Sequence, residues 1–127
     1  KTELHVLFDL GQAARVGVEV FGHGTRSAKI YYDRASDLVV FDRSGMGIDI
    51  SHDASEKDAS VRSVRVDTAG NRLEMLILLD VVSCEVFLND GERVMTGNVY
   101  SGGTDISFFA ENGEAEIVRL EKYDIIN

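Results

Sequence analysis

Proline is absent from this chain, cysteine occurs once, and basic residues are scarce: 13 Lys and Arg stand against 22 Asp and Glu, a formal charge of −9. Each shortage excludes something. With Cys84 alone, no intrachain disulfide can form and no cysteine-based metal cluster can be built. The acid excess argues against a nucleic-acid partner, because phosphate-backbone binding rests on Lys and Arg displacing condensed counterions. It leaves neutral ligands such as sugars open. The longest unbroken apolar run, Met75–Leu79, is far short of the roughly 20 residues that a membrane span requires, so no membrane partner is expected. The missing proline is unusual for a chain with many turns, and glycine, asparagine and aspartate are left to make them.

What is present belongs to an ordinary globular chain: 44% hydrophobic and 28% charged residues over 127 positions. That length suits one domain, able to bury roughly two-thirds of the surface its unfolded form exposes. The chain opens at Lys1 with an alternating pattern, and neither an initiator Met nor a basic-then-apolar leader precedes it. Residues 1–127 are therefore expected to be a single module excised from a larger protein.

A period of two runs from end to end and predicts strands. Val16, Val18 and Val20 alternate with Arg15, Gly17 and Glu19. Ala28, Ile30 and Tyr32 alternate with Lys29, Tyr31 and Asp33, and the return run Leu38–Phe41 makes a hairpin. Val64 and Val66 lead into Ala69-Gly70-Asn71, which tolerate positive φ. Then Leu73, Met75, Ile77 and Leu79 resume, with Leu76 and Leu78 on the other side. A strand apolar on both faces is expected in mid-sheet. Asn89-Asp90-Gly91, between Glu85–Leu88 and Arg93–Met95, is a strong hairpin signal. Asn112-Gly113 is read the same way, between Ile106–Ala110 and Ala115–Leu120. Gly45–Ser60 has no clear period and reads as a long surface loop. The segment Ile117–Ile125 is read as a strand, since Asp124 spoils the alternative amphipathic helix. The pattern predicts an all-β, two-sheet antiparallel β-sandwich.

Signals for chemistry are few. His5, His23 and His52 share no metal-ligand spacing, and no metal or cofactor is expected. The glycines lie among strands rather than between a strand and a helix, so they are turn residues and not a phosphate cradle. No Gly-x-Ser-x-Gly elbow occurs, and Cys84 sits in an apolar strand, a setting for a buried thiol rather than a nucleophile. Asp42, Asp80 and Glu85 are candidates for the paired carboxylates of glycoside hydrolysis, but 22 acids make such pairs by chance. No catalytic residue is assigned.

The run Asp80-Val81-Val82-Ser83-Cys84-Glu85-Val86-Phe87-Leu88-Asn89-Asp90-Gly91 resembles the hallmark of the C-terminal domain of family 32 glycoside hydrolases, Asp-Arg-Ser-Ser-Val-Glu-Val-Phe-Val-Asn-Asp-Gly. Val81 and Val82 depart from it. Upstream, Leu38-Val39-Val40-Phe41-Asp42-Arg43-Ser44-Gly45 is similar to a second family signature, and Ile106-Ser107-Phe108-Phe109-Ala110-Glu111-Asn112-Gly113 to the hairpin before the last strand. The order agrees over about Leu4 to Ile125.

The resemblance implies a concanavalin-like jelly roll packed beside a five-bladed catalytic β-propeller, as in invertases, levanases and inulinases. In that family the catalytic carboxylates belong to the propeller, in strings such as Trp-Met-Asn-Asp-Pro-Asn and Arg-Asp-Pro that do not occur here. A non-catalytic module of a β-fructosidase is thereby implied, which predicts a bare apolar patch that Tyr31, Phe87 or Phe109 would help form. The sandwich also resembles family 66 carbohydrate-binding modules, which bind the terminal fructose of fructans. On that alternative, Asp42, Arg43, Glu85 and Tyr100 supply the charged groups and the ring that a sugar site uses. The plainer reading of the same four is local pairing and ordinary packing.

Overall fold

Why the alternating segments become strands is visible in their burial. In a computed structural model of the chain, residues 1–24, 26–46, 61–80, 83–89, 91–98 and 103–124 are described. They form ten strands: β1 (Thr2–Asp9), β2 (Arg15–His23), β3 (Arg26–Asp33), β4 (Leu38–Asp42), β5 (Val61–Arg65), β6 (Arg72–Leu79), β7 (Ser83–Leu88), β8 (Arg93–Asn98), β9 (Asp105–Glu111) and β10 (Glu116–Asp124). Sheet A has the order β10-β1-β6-β7-β8, and sheet B the order β5-β4-β3-β2-β9. Every pairing is antiparallel. The expected two-layer sandwich is present.

Side chains alternate across each strand, so one parity faces the partner sheet. From sheet A, Leu4, Val6 and Phe8 of β1, Leu73, Met75 and Ile77 of β6, and Cys84, Val86 and Leu88 of β7 are buried. From sheet B they meet Val16, Val18, Ile30, Val39 and Phe41. These side chains form one core. Fully burying a Phe or Leu contributes about 1.5–3 kcal/mol each, before the ordering entropy that opposes it.

The strand apolar on both sides, β6, is the middle strand of sheet A, as its pattern predicts. The β3–β4 hairpin forms, and β7 returns as β8 through a turn in which Asn89 and Gly91 have φ of 48° and 84°. Asn89 also ties that turn to the neighbouring crossing segment, donating from Nδ2 to the Asp67 carbonyl (2.6 Å) and accepting at Oδ1 from the Glu74 N–H (3.1 Å). Ile117 to Asp124 is strand, within β10. Of the predicted loop Gly45–Ser60, the first residues make a 3-10 turn at Ser44–Met46, and 47–60 lie outside the described residues.

One expectation is corrected. Asn112-Gly113 does not close a hairpin: β9 pairs with β2 in sheet B, and β10 pairs with β1 in sheet A. The turn carries the chain from one layer to the other. It does so beside the β1–β2 corner, which makes the same crossing: Gln12 N–H donates to the Glu114 carbonyl (3.1 Å) and Ala14 N–H to the Glu111 carbonyl (2.9 Å). Gly11, with φ +54°, lets the corners touch, since a Cβ there would lie 2.1 Å from the Glu114 oxygen.

The outer face of sheet A and the predicted sugar ligands

A central strand needs its inner face apolar, and the partner sheet covers that face. Nothing in a two-layer sandwich covers the outer one, yet β6 points Leu76 and Leu78 outward, between the buried Met75, Ile77 and Leu79. Leu78 lies between Glu3 of β1 and Glu85 of β7, whereas Leu76 has an aromatic neighbour. Leu76 is paired with Phe87 on β7 and with His5 on β1, and Phe87 in turn with Val94 on β8. Leu7, the next outward residue of β1, lies opposite Glu74. Val94 and, on β10, Tyr123 are 49% and 50% exposed, whereas Leu7, Leu76, Leu78 and Phe87 are half-buried.

Polar groups frame this apolar row. Arg119 Nη2 is 3.5 Å from Glu74 Oε2. His5 lies edge-on to the Tyr123 ring at 5.7 Å and 3.6 Å from the Glu3 carboxylate, and the Tyr123 hydroxyl donates to Glu121 (2.5 Å). That bond to Glu121 also raises the tyrosine's pKa. A shallow depression of about 510 Å³ opens among His5, Leu7, Glu74, Leu76, Phe87 and Arg119. Chemically, the surface offers apolar contact at its centre and hydrogen-bonding charges at its rim, the anatomy of a protein interface.

The structure divides the aromatic trio expected to form a bare patch. Phe87 is on this face, while Tyr31 and Phe109 are outward residues of sheet B, ring centroids 6.1 Å apart across Gly17. Leu7 and Val94 were not singled out by the sequence, and His5 was weighed only as a metal ligand; their signal is the parity opposite to the core set of their strands.

Of the four predicted sugar ligands, the three that are described, Asp42, Arg43 and Glu85, are not brought together. Asp42 points out of sheet B, where its Oδ1 accepts from the Ser44 N–H (2.8 Å) and hydroxyl (2.5 Å) in a local turn. Glu85 points out of sheet A, on the opposite side of the molecule. Arg43 faces inward and is 6% exposed. Its guanidinium lies 5.9 Å from the Phe41 ring centroid, and a Cβ on Gly97 of β8 would come within 3.3 Å of its Cδ and Nε, so the side chain spans the gap between the layers. The Cys84 thiol shares that interior, where burial pushes its pKa up to about 12, with the Glu85 charge adding and Arg43 opposing. It is a packed thiol and not a nucleophile. Tyr100 lies outside the described residues.

A sequence profile described as "Glycosyl hydrolases family 32 C terminal" matches residues 1–124. The chain belongs to that family. This family 32 C-terminal domain is 31% identical over 116 residues to a sucrose-6-phosphate hydrolase of Staphylococcus xylosus, covering 90% of the domain and 22% of the relative. It is 30% identical over 102 residues to a levanase of Bacillus sp. (strain L7), covering 79% and 11%. Among solved structures, exo-inulinase from Aspergillus awamori superposes with a TM-score of 0.84 at 22% identity, over 98% of the domain and 25% of that chain. Sucrose-6-phosphate hydrolase from Lactobacillus gasseri gives 0.71 at 21% identity. The domain thus spans about a quarter or less of each of these proteins.

Proposed function

We propose that the domain is the non-catalytic C-terminal module of a β-fructosidase and that the outer face of sheet A seats it on the catalytic β-propeller of its parent chain. The observation that carries this reading is the outward Leu76, Leu78 and Phe87 on the inner strands of a two-layer fold, which leaves apolar surface that only another body can cover. The relatives' names, sucrose-6-phosphate hydrolase and levanase, supply the substrate class: sucrose-like and fructan β-fructosides. Stabilisation is the module's contribution to the enzyme.

In the full-length parent, Leu76→Asp and Phe87→Asp place a charge in the seam. Each is expected to shorten the thermal half-life of hydrolase activity several-fold while leaving the 127-residue domain folded, because both side chains lie outside its core. The isolated domain is expected to release no fructose from sucrose or levan. Unchanged inactivation in both variants, or fructose release by the domain alone, would refute the proposal.

A fructan-binding role is the second reading, favoured by the same depression with Arg119 and Glu74 at its edge. It predicts retardation of the domain in a levan affinity gel, abolished by Arg119→Ala. Arg43→Ala is unsuited to that gel because Arg43 is interior. An unretarded domain rejects this reading and leaves the first standing.

A further inference from the structure

The outer face of sheet B, on the other side of the molecule from the seam just described, carries a pattern of its own. Its middle row across the strands reads Val40, Tyr31, Gly17, Phe109 from β4 to β9. The row on one side has Asp33 and Arg15 at its centre, and the row on the other has Lys29 and Glu19. Both central pairs set opposite charges on adjacent strands β3 and β2, and both are arranged about the same line. That line runs along the strands, midway between β2 and β3.

Placing a two-fold axis along that line, in the plane of contact, lays a second copy of the sheet face to face on the first. Residues of β3 then oppose residues of β2 at the same height. Arg15 meets Asp33 of the second copy and Lys29 meets Glu19, each twice by symmetry, giving four opposite-charge contacts and no like-charge contact in these rows. The Tyr31 ring comes opposite Gly17 of the second copy and meets the Tyr31 and Phe109 rings that flank that glycine, and Phe109 comes opposite Val40. At the rim Asp42 meets Ser107, and Leu38 meets the aliphatic stem of Glu111. A surface that complements itself in charge about one axis and brings its aromatic rings together there fits an isologous contact, and near-aligned sheet-on-sheet packing is an ordinary way for β faces to meet.

Within one chain the elements are already set. Arg15 Nε is 3.3 Å from Asp33 Oδ1 and its guanidinium lies 5.1 Å from the Tyr31 centroid, while Lys29 Nζ is 5.9 Å from the Phe109 centroid. Glu19 is held by the Ser27 hydroxyl at 3.1 Å. Gly17 is needed for this layout, since a Cβ there would come within 2.1 Å of the Ile30 carbonyl oxygen and 2.5 Å of Tyr31 Cβ.

We infer that the outer face of sheet B is a homodimer interface in which two copies of this chain pack face to face about an axis between β2 and β3. It uses a different surface from the seam with the catalytic domain, so either can fail without the other.

Charge reversal tests it. In Arg15→Asp every reciprocal contact in that row becomes Asp against Asp, and in Asp33→Arg it becomes Arg against Arg. By sedimentation equilibrium of the 127-residue chain, each variant alone is expected to self-associate at least tenfold more weakly than wild type. An equimolar mixture of the two is expected to recover dimer, because every such contact across the mixed pair is again Arg against Asp. Wild-type association should weaken towards about 1 M salt, where the Debye length falls to about 3 Å. With far-ultraviolet circular dichroism showing both variants folded, a monomeric wild type, single variants that dimerise like wild type, or a mixture that stays monomeric would each overturn the inference.

Discussion

Replacing Arg34 tests how the two layers are joined at the corner end of the sandwich. Arg34 sits in the β3–β4 turn and is exposed, yet its guanidinium reaches three backbone carbonyls of the β1–β2 corner: Ala13 from Nε (2.9 Å), and Gly11 and Leu10 from Nη2 (3.1 and 3.3 Å). Nη1 also donates to Asn71 Oδ1 (3.4 Å), and Asn71 Nδ2 donates to the same Gly11 carbonyl (2.8 Å). One side chain thus links the hairpin of sheet B to two segments that run between the layers, the β1–β2 corner and the β5–β6 connection. A hydrogen bond from a charged donor contributes roughly 1.5–3 kcal/mol when shielded and less at an exposed site. Discounting for solvent and for the long geometry of two of the four, Arg34→Ala should cost about 2 kcal/mol. For a domain of this size that lowers Tm by roughly 6–10 °C, measurable by calorimetry or by circular dichroism. Arg34→Lys keeps the charge but lacks the planar fork, so it should recover less than half of the loss. Because Asn71 shares the Gly11 acceptor, Arg34→Ala and Asn71→Ala together should fall short of the sum of the singles by about 0.5–1 kcal/mol. A melting curve for Arg34→Ala that overlays the wild type would refute the idea that this corner is held by the guanidinium.

The buried thiol makes two predictions. Cys84 should resist alkylation in the folded domain and react at once in denaturant; rapid labelling of native protein would show the interior to be open. Its folded pKa, about 12, lies above the ordinary value of 9.0, so its contribution is complete below pH 9 and lost as pH rises towards 12. Unfolding free energies from urea titrations should therefore decline in that window by up to about 1.4 kcal/mol per pH unit more in wild type than in Cys84→Ala; equal declines would contradict it. Gly11→Ala, which combines a left-handed φ with a Cβ 2.1 Å from the Glu114 oxygen, should cost about 3 kcal/mol or more in chemical denaturation, and a near-neutral result would mean that the paired corners move apart easily.

Much of the fold is legible in the sequence, and particular residues say why. Met75–Leu79 is apolar on both parities, and only a strand flanked on both edges uses that, so the centre of sheet A could be named without coordinates. Asn89 and Gly91 adopt the positive φ that their identities advertise, and the β7–β8 hairpin follows. Asn112 and Gly113 adopt positive φ as well, at 53° and 138°, yet β9 and β10 part company. Turn chemistry sets the local reversal of the chain. Which layer receives the next strand is decided by the β1–β2 corner alongside, nearly a hundred residues away in the chain.

The site was less readable. Asp42 and Arg43 are adjacent on the chain, and the pleat sends the first to solvent and the second between the layers, so neighbours in sequence are separated in space. Glu85 ends on the far side because β4 and β7 belong to different sheets, a fact that no local pattern carries. The outward apolar row on sheet A, by contrast, is written into the alternation of β1, β6, β7 and β8, once the inner parity of each is known.

The position of β1 has a consequence for how the protein acquires its shape. It lies between β6 and β10, with Thr2 paired at once with Leu79 and Asp124, the latter contact closed by a bond from the Thr2 hydroxyl to the Asp124 carboxylate (3.0 Å). A growing chain emerging from the ribosome makes β1 first and β10 last, so sheet A waits for partners separated from β1 by most of the sequence. Such long loop closures are slow, and until they occur one edge of β1 is an unpaired template for other chains. Assembly of sheet A is therefore a late event, completed after synthesis has passed Asp124, and crowding or heat during that interval is where the protein is most exposed to misassembly.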